Sequence, residues 1–317
     1  MRVIFLQNLG QVTFEGAPST ETAIGLGLQL TTNPESATAL LTGLFAPAVS
    51  AMDLQASSKC GAHILGHGEY VGSASVKAHM EGLTQGLISI TTLFLEALWL
   101  VKDNSANTSA AYSAVVDNAG RPVLFHLPHS AVTSTARCTM TTTAFGLGEL
   151  QEACMLFRQL IEVMPREIAS ENAPRPMAMI HASRLGRALF VIQGARSTSD
   201  VALKVAFYCI AFETLFSTVR EGVSRCVSER ASCFLGGDPI ERKTNFKRFA
   251  KLYGYRSAVV HGSRIDTKKE NSIREAAVLA DDHVRRTLRK ILTNPNLTAL
   301  FSADDKSALD KYFVEHQ

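Results

Sequence analysis

The chain has 317 residues, of which 46% are hydrophobic and 19% are charged, and its formal net charge is +3. A disordered chain would be poorer in apolar residues, and a collagen-like or disulfide-scaffold protein would show periodic glycine or dense cysteine. Since domains usually run to roughly 100 to 200 residues, the length predicts two folded domains, each with its own core.

The charge is distributed unevenly between the two halves of the chain. Residues 1–150 carry 6 Lys/Arg and 10 Asp/Glu, whereas residues 151–317 carry 26 and 19, so the halves stand at −4 and +7 and sum to +3. A sparsely charged half followed by a densely charged basic half predicts two domains with different roles.

Cysteine usage and hydropathy predict the compartment. The 6 cysteines lack the C-x-x-C spacing of zinc or redox sites, which favours reduced thiols. The N-terminal run MRVIFLQNLG has too short an apolar stretch for a secretory signal. The most membrane-like stretch, 83–101, contains Gln85 and Glu96 and is better explained as a core element. We therefore expect a soluble, cytoplasmic protein that does not contact a membrane.

Residues 1–146 have the texture of a β-rich α+β domain. Short apolar runs alternate with segments rich in Gly, Ser and Thr. The segment 111–127 predicts a strand, a turn and a second strand, because the D-N-A-G sequence at 117–120 supplies turn residues between two β-prone runs.

Residues 147–317 have a helical texture and predict an all-α bundle of five to seven helices. The run 201–219 is apolar nearly all round, as in a central buried helix, and the three residues before it, Thr198, Ser199 and Asp200, offer N-cap chemistry. Thr267 and Glu270 have the types of a capping box and should open a further helix that runs to about Leu292, before Asn294 and Pro295 stop it.

A helix that bears the chain's main motif is predicted to begin at Asp238 and Pro239, which have the types expected at an N-cap and at the first helical position. Aromatic residues then recur at helical spacing, among them Phe249 and Tyr253. Gly254 and Gly262 are the predicted breaks on either side of the segment YRSAVVH.

Histidines in the first domain offer a metal site as one hypothesis. His63 and His67 have the spacing of two zinc ligands on a helix, and His79 follows. Glycines beside His67 make a helix doubtful, and no Glu lies between the two histidines as in H-E-x-x-H. We therefore expect turn or surface histidines here, and we expect His126 and His129 to lie in a loop.

The strongest motif pairs Arg256 with His261, five residues later. A second pair at this spacing, Arg121 and His126, has Pro122 and a strand-like run between its ends. On a helix a step of five residues turns by about 140° and rises about 7.5 Å, so Arg256 and His261 would flank a ridge. The apolar segment 258–260 between them should anchor the helix in the core and hold both polar ends at a rim.

The surroundings of this motif are strongly basic. The window 242–269 contains nine Lys/Arg residues against a single Asp266, a local charge of +8 that favours binding of a polyanion. The basic residues are Arg242, Lys243, Lys247, Arg248, Lys251, Arg256, Arg264, Lys268 and Lys269.

The segment LYGYRSAVVHG (252–262) closely resembles the signature of the Apea-like HEPN domains, in which Arg-x4-His is followed by Gly. Upstream, 183–197, 211–217 and 223–236 are similar to three helices of that family, the second bearing a glutamate and the third an arginine. The resemblance covers the predicted helical domain, 147–317, and leaves the domain 1–146 without a counterpart.

The resemblance implies a metal-independent, cofactor-free endoribonuclease of antiphage or toxin systems, in which two protomers pair around one composite cleft. His261 would act as general acid or base, and Arg256 would stabilise the charge on the phosphorane. The products would be a 2′,3′-cyclic phosphate and a 5′-hydroxyl. The RNA would be tRNA or another RNA with single-stranded or loop segments. It would contact Lys243, Lys247, Arg248, Lys251, Arg264 and Lys268.

Three supporting residues and two other functions stay open at this point. Glu213 would orient Arg256 or His261, or would instead pair with Arg225 or Arg230. Ser257 stands where many HEPN nucleases carry a more strongly polar residue. The alternatives to the ribonuclease are a non-catalytic HEPN module that binds RNA or a protein, and a zinc-dependent activity in the first domain.

Overall fold

A computed structural model describes residues 1–16, 21–71, 76–128, 131–163, 182–262 and 270–316. The chain divides into two compact units. The first contains the described residues of Met1–Thr133 and Met140–Ile161, and the second contains Ser134–Thr139 and the described residues of Pro174–Gln317.

The first unit is built on a six-stranded sheet in which every pair of neighbouring strands is antiparallel. Its strand order is β3-β4-β5-β1-β6-β7, and β2 and β8 form a separate parallel pair. The strands are β1 Arg2–Gly10, β2 Val12–Glu15, β3 Thr22–Gly25, β4 Leu28–Thr31, β5 Ala62–Glu69, β6 Asn107–Val116, β7 Pro122–Leu127 and β8 Thr143–Gly146.

Helices cover both faces of this sheet because its strands alternate apolar side chains on the two sides. On one face Leu6 and Tyr112 pack with residues of α1 (Pro34–Thr42). On the other face the core forms between Val3 and Met80 of α3 (Val76–Val101). The remaining α-helices described in this unit are α2 Ala51–Ser58 and α4 Leu147–Val163.

Helix α3 contains the stretch with the most membrane-like composition. It is the one described helix that is long and apolar enough to cross a membrane, and 67% of its most apolar window is buried inside the protein. Burial of this extent is typical of the core helix of a soluble protein, and the interpretation of 83–101 as a core element agrees with it.

The antiparallel sheet followed by a mostly helical region confirms the predicted mixed architecture. The strand, turn and strand expected over 111–127 are present as β6 and β7. Contacts group most of α4 with the first unit, so this division of the chain falls after α4, whereas the sequence placed the boundary before it, between 146 and 147.

The second unit shows seven helices within its described residues, at the upper end of the predicted number. They are α5 Arg184–Ser197, α6 Val201–Phe216, α7 Val223–Leu235, α8 Pro239–Val260, α9 Glu270–Leu292, α10 Pro295–Ser302 and α11 Lys306–Glu315. Helix α6 packs against α5, α7, α8 and α9, which confirms its predicted central position.

Helix ends follow the predicted chemistry at several places. The Asp200 side chain accepts from the backbone N–H of Leu203 at the start of α6. Asp238 caps α8 in the same way, with Pro at the first helical position. Gly262 lies beyond the end of α8 with a φ of +66°, a conformation that costs glycine little.

The predicted break at Gly254 is wrong, because α8 continues through it. Glycine in a helix interior costs about 1 kcal/mol relative to alanine, which is a weak preference. Leu252 and Tyr253 are buried immediately before it, and their packing holds this turn in the helical conformation.

Candidate active site in the helical unit

Helix α8 buries one stripe of side chains, and Arg256 lies on that stripe. Its buried residues are Asn245, Phe249, Leu252 and Tyr253. Because each helical residue turns by about 100°, Arg256 lies within about 60° of Phe249 and of Tyr253 around the axis. The ring of Phe249 packs edge-on against Phe212 of α6, with 4.9 Å between centroids. This aromatic contact sets the separation of α6 and α8 beside the motif.

Glu213 of α6 is the ion-pair partner of Arg256. Its Oε2 lies 3.4 Å from Arg256 Nη2, and the two side chains are 22% and 29% exposed. Burial raises the pKa of the Glu213 carboxyl above its ordinary value, and the guanidinium opposes that rise. The contact is single and long, so a second anion could compete for the guanidinium.

Two donors beside this ion pair are buried and have no hydrogen-bond partner among the described residues. They are the Tyr253 hydroxyl and Arg256 Nε. Burial, reinforced by the charge of Glu213, holds the pKa of Tyr253 well above its ordinary value. Buried polar groups are usually satisfied, so an unsatisfied pair of donors marks a functional or strained position.

Cys209 precedes Glu213 by one turn of α6 and is 1% exposed. Burial raises the pKa of its thiol to about 12, and the nearby Glu213 carboxylate adds to the rise. The thiolate is the nucleophilic form of cysteine, so Cys209 acts here as a packing residue.

His261 caps the C-terminus of α8, and its side chain is exposed. Its backbone N–H donates to the carbonyl of Ser257, and the N–H of Gly262 donates to the carbonyl of Val259. Since five residues turn a helix by about 140°, His261 and Arg256 point to different sides of α8 within one chain. This agrees with the spacing, which predicted that the two residues flank a ridge; a long Arg side chain can still bend toward a phosphate near His261.

The segment between the two motif residues is less buried than the sequence predicted. Val260 is 53% exposed, and Ala258 and Val259 are half-buried. The expectation that all three anchor the helix in the core is wrong, because the packed stripe ends near Arg256 and the last turn of α8 extends beyond it.

A basic face extends along α8. Lys243, Lys247, Arg248 and Lys251 are all exposed. Because the four side chains are exposed and lie within nine residues of one another, their positive charges together can attract a polyanion. Arg264 and Lys268, the other two predicted RNA contacts, lie outside the described residues.

The structure separates the alternatives for Glu213. Arg225 is 82% exposed and pairs with Glu229 at 2.8 Å within α7. Arg230 pairs with Asp310 of α11 and donates to the carbonyl of Phe216. Glu213 therefore pairs with Arg256, while Arg230 ties α7 to its neighbours and neither arginine joins the site.

The histidines of the first unit are not arranged as helical zinc ligands. His63 lies in β5, and its Nδ1 is 3.0 Å from Oδ1 of Asn8. Burial lowers the pKa of His63 to about 4. His67 is four residues along the same strand, about 13 Å away at the rise of a strand. The part of the chain that the structure describes, which includes His79, contains no group of three or more side chains able to hold a metal.

His126 lies in strand β7, so its predicted placement in a loop is wrong. Its ring stacks on Tyr112, the residue paired with it on β6, with 4.7 Å between centroids. This cross-strand stacking stabilises the sheet edge and accounts for the histidine structurally. His129 lies outside the described residues.

No family model, curated protein or solved structure matches this chain. The residues of the site and the motif that they form are therefore the basis for its function.

Tyr253 is the residue beside the ion pair that the sequence did not single out. Its helical spacing placed it among the aromatic residues of the apolar stripe, although its hydroxyl makes it polar at one end. Its position three residues before Arg256, on the same side of the helix, was the available signal.

Proposed function

We propose that this protein is a metal-independent endoribonuclease of the HEPN type that acts as a homodimer. The observation that carries the proposal is the arrangement on α8. Arg256 is held 3.4 Å from Glu213, exposed His261 follows at the helix end, and exposed basic side chains line the preceding turns.

The chemistry follows from these residue types. Imidazole exchanges protons near neutral pH, so His261 would take the proton from the ribose 2′-hydroxyl or give one to the leaving 5′-oxygen. The 2′-oxygen then attacks phosphorus and the bond to the 5′-oxygen breaks, which leaves a 2′,3′-cyclic phosphate and a 5′-hydroxyl. Arg256 would offset the charge that develops on the phosphorane oxygens.

A second chain completes the site in this proposal. Arg256 and His261 of one chain lie on different sides of α8, and a partner would bring a second copy of each residue type to one phosphate. The exposed face of Lys243, Lys247, Arg248 and Lys251 would hold the RNA backbone, and single-stranded or loop segments, as in tRNA, are the favoured substrates. We place this activity in the cytoplasm, in antiphage defence or a toxin-like role.

The test compares RNA cleavage by the wild type, His261→Ala and Arg256→Ala in the presence of EDTA. His316→Ala is the matched control, because His316 is also an exposed histidine at the C-cap of a helix. We expect cleavage by the wild type and the control, with loss of about 100-fold or more in the two motif variants. Equal cleavage by all four proteins, or loss of wild-type cleavage on chelation, would refute the mechanism.

A second candidate is a non-catalytic module that binds RNA through the same basic face. The divergence of Arg256 and His261 within one chain favours it, if no dimer forms. It predicts that the logarithm of the RNA association constant falls linearly with the logarithm of the salt concentration, with a slope of about −0.7 per phosphate contact, and that no cleavage product forms. The cyclic phosphate end distinguishes the two functions.

A further inference from the structure

The interior end of the Glu213–Arg256 pair contains more donors than acceptors. The Tyr253 hydroxyl and Arg256 Nε are both buried without a partner among the described residues, while Glu213 contacts only Nη2 of the guanidinium. Tyr253 as a whole is 8% exposed.

Glu213 already contacts the Arg256 guanidinium, which makes it the candidate acceptor for these donors. Tyr253 and Arg256 are one helical turn apart on the same side of α8, and Tyr253 interacts electrostatically with both Glu213 and Arg256. A carboxylate has two oxygens and can accept from two donors at once. Nε–H and Nη2 lie on the same edge of the guanidinium group, so a shift along this edge would bring the carboxylate from Nη2 to Nε.

We propose that Tyr253 is a positioning residue: when a phosphate group takes the outer Nη edge of Arg256, the Glu213 carboxylate moves inward and accepts from Tyr253 Oη–H and Arg256 Nε–H. This exchange rests on the proposed function, whose phosphate-binding arginine it explains. It frees the outer edge for two parallel bonds to phosphate oxygens, and it satisfies both buried donors.

The exchange also removes the main objection to an anion at this site. In the arrangement observed, Glu213 contacts Nη2, one of the two nitrogens that a phosphate at the Nη edge would use, and its charge repels an anion there. Moved inward, the carboxylate still neutralises Arg256 on one side, while hydrogen bonds from Tyr253 and Nε compensate its burial. Without the Tyr253 hydroxyl, the inward position has one donor fewer and the outward position is favoured.

The first experiment follows the Arg256 Nε–H resonance by NMR during titration with inorganic phosphate and, separately, with an uncleavable 2′-O-methyl RNA. The proteins are wild type, Tyr253→Phe and Tyr255→Phe. Tyr255 is the matched control, because it lies on the same helix and its hydroxyl bonds to Ser272 instead. We expect the wild type and the control to show slower Nε–H exchange on ligand binding, and Tyr253→Phe to lose this protection.

The second experiment measures affinity for the same RNA in a double-mutant cycle. Tyr253→Phe should weaken binding about 10-fold in the wild-type background and less than about 2-fold in a Glu213→Ala background, since the hydroxyl acts only through Glu213. A merely structural role would give equal, additive losses in both backgrounds, and that result would overturn the inference.

Failure of the proposed function and failure of the exchange give different results. Protection of Nε–H by phosphate that depends on Tyr253, in a protein that does not cut RNA, supports the exchange and removes the ribonuclease. Cleavage of RNA by a wild type whose Nε–H is unaffected by either ligand overturns the exchange and leaves the ribonuclease. A response to RNA but not to inorganic phosphate identifies the phosphodiester as the ligand.

Discussion

Replacement of Tyr253 by Phe should stabilise the free protein while it weakens function. The hydroxyl is buried and has no partner among the described residues, and leaving such a group unsatisfied costs about 1–3 kcal/mol. Phe keeps the ring that packs between α8 and its neighbours and removes only this oxygen. We therefore expect a gain of about 1 kcal/mol in the free energy of unfolding, or roughly 2–4 °C in the melting temperature.

Two other tyrosines calibrate this measurement. Tyr208 is fully buried, and its hydroxyl donates to Asp281 at 2.7 Å, so Tyr208→Phe should cost about 2 kcal/mol and lower the melting temperature. Tyr255 is half-buried and pairs with Ser272, so Tyr255→Phe should change stability by less than about 1 kcal/mol. Calorimetry on the three variants at neutral pH gives the comparison. A loss of stability in Tyr253→Phe similar to that in Tyr208→Phe would show that the hydroxyl is satisfied, and the reasoning would fail.

Three further predictions concern pH and two arginines of α7. The pKa of Glu213 is raised in the folded state above its ordinary value of 4.5, so its contribution to stability is present below that pH and is lost as pH rises. The melting temperature of the wild type should therefore fall relative to that of Glu213→Gln as pH rises above about 4.5, and a constant difference between the two would contradict this prediction. Burial lowers the pKa of His63 from 6.5 to about 4, so the free energy of unfolding should fall by up to about 3 kcal/mol as pH drops through that interval. His63→Gln should reduce this pH dependence, whereas His67→Gln, on the same strand, should keep it. Arg230→Ala removes bonds to Phe216 and Asp310 and should lower the free energy of unfolding, measured by heat or urea, by about 3 kcal/mol. Arg225→Ala removes a highly exposed ion pair and should leave the unfolding midpoint nearly unchanged, so equal effects of the two variants would refute the structural role of Arg230.

Sequence patterns predicted local elements well where the signal was itself local. The caps at Asp200 and Asp238, the turn at 117–120 and the end of α8 before Gly262 were all correct. Each depends on side chains and backbone within a few residues. Gly254 failed as a predicted break because burial of its neighbours outweighs a helix preference of about 1 kcal/mol.

The candidate site was predicted in its residue types but not in its pairing. The motif identified Arg256 and His261, and spacing alone already indicated that they point apart on a helix. Whether Glu213 pairs with Arg256, Arg225 or Arg230 could not be decided, because each pairing joins residues on different helices. The same limit applies to Tyr253, whose unsatisfied hydroxyl is visible only when every neighbouring acceptor is known.

The sequence by itself determined a two-part chain, the concentration of positive charge on one helix, and the spacing of an arginine and a histidine at its end. These properties are fixed by residue identity and by helical geometry. Only the tertiary structure decided that Glu213 faces Arg256 at 3.4 Å, that His261 is exposed, and that two donors are buried behind the pair. Burial and pairing depend on how α6 and α8 pack, and that packing is set by contacts between residues far apart in the chain.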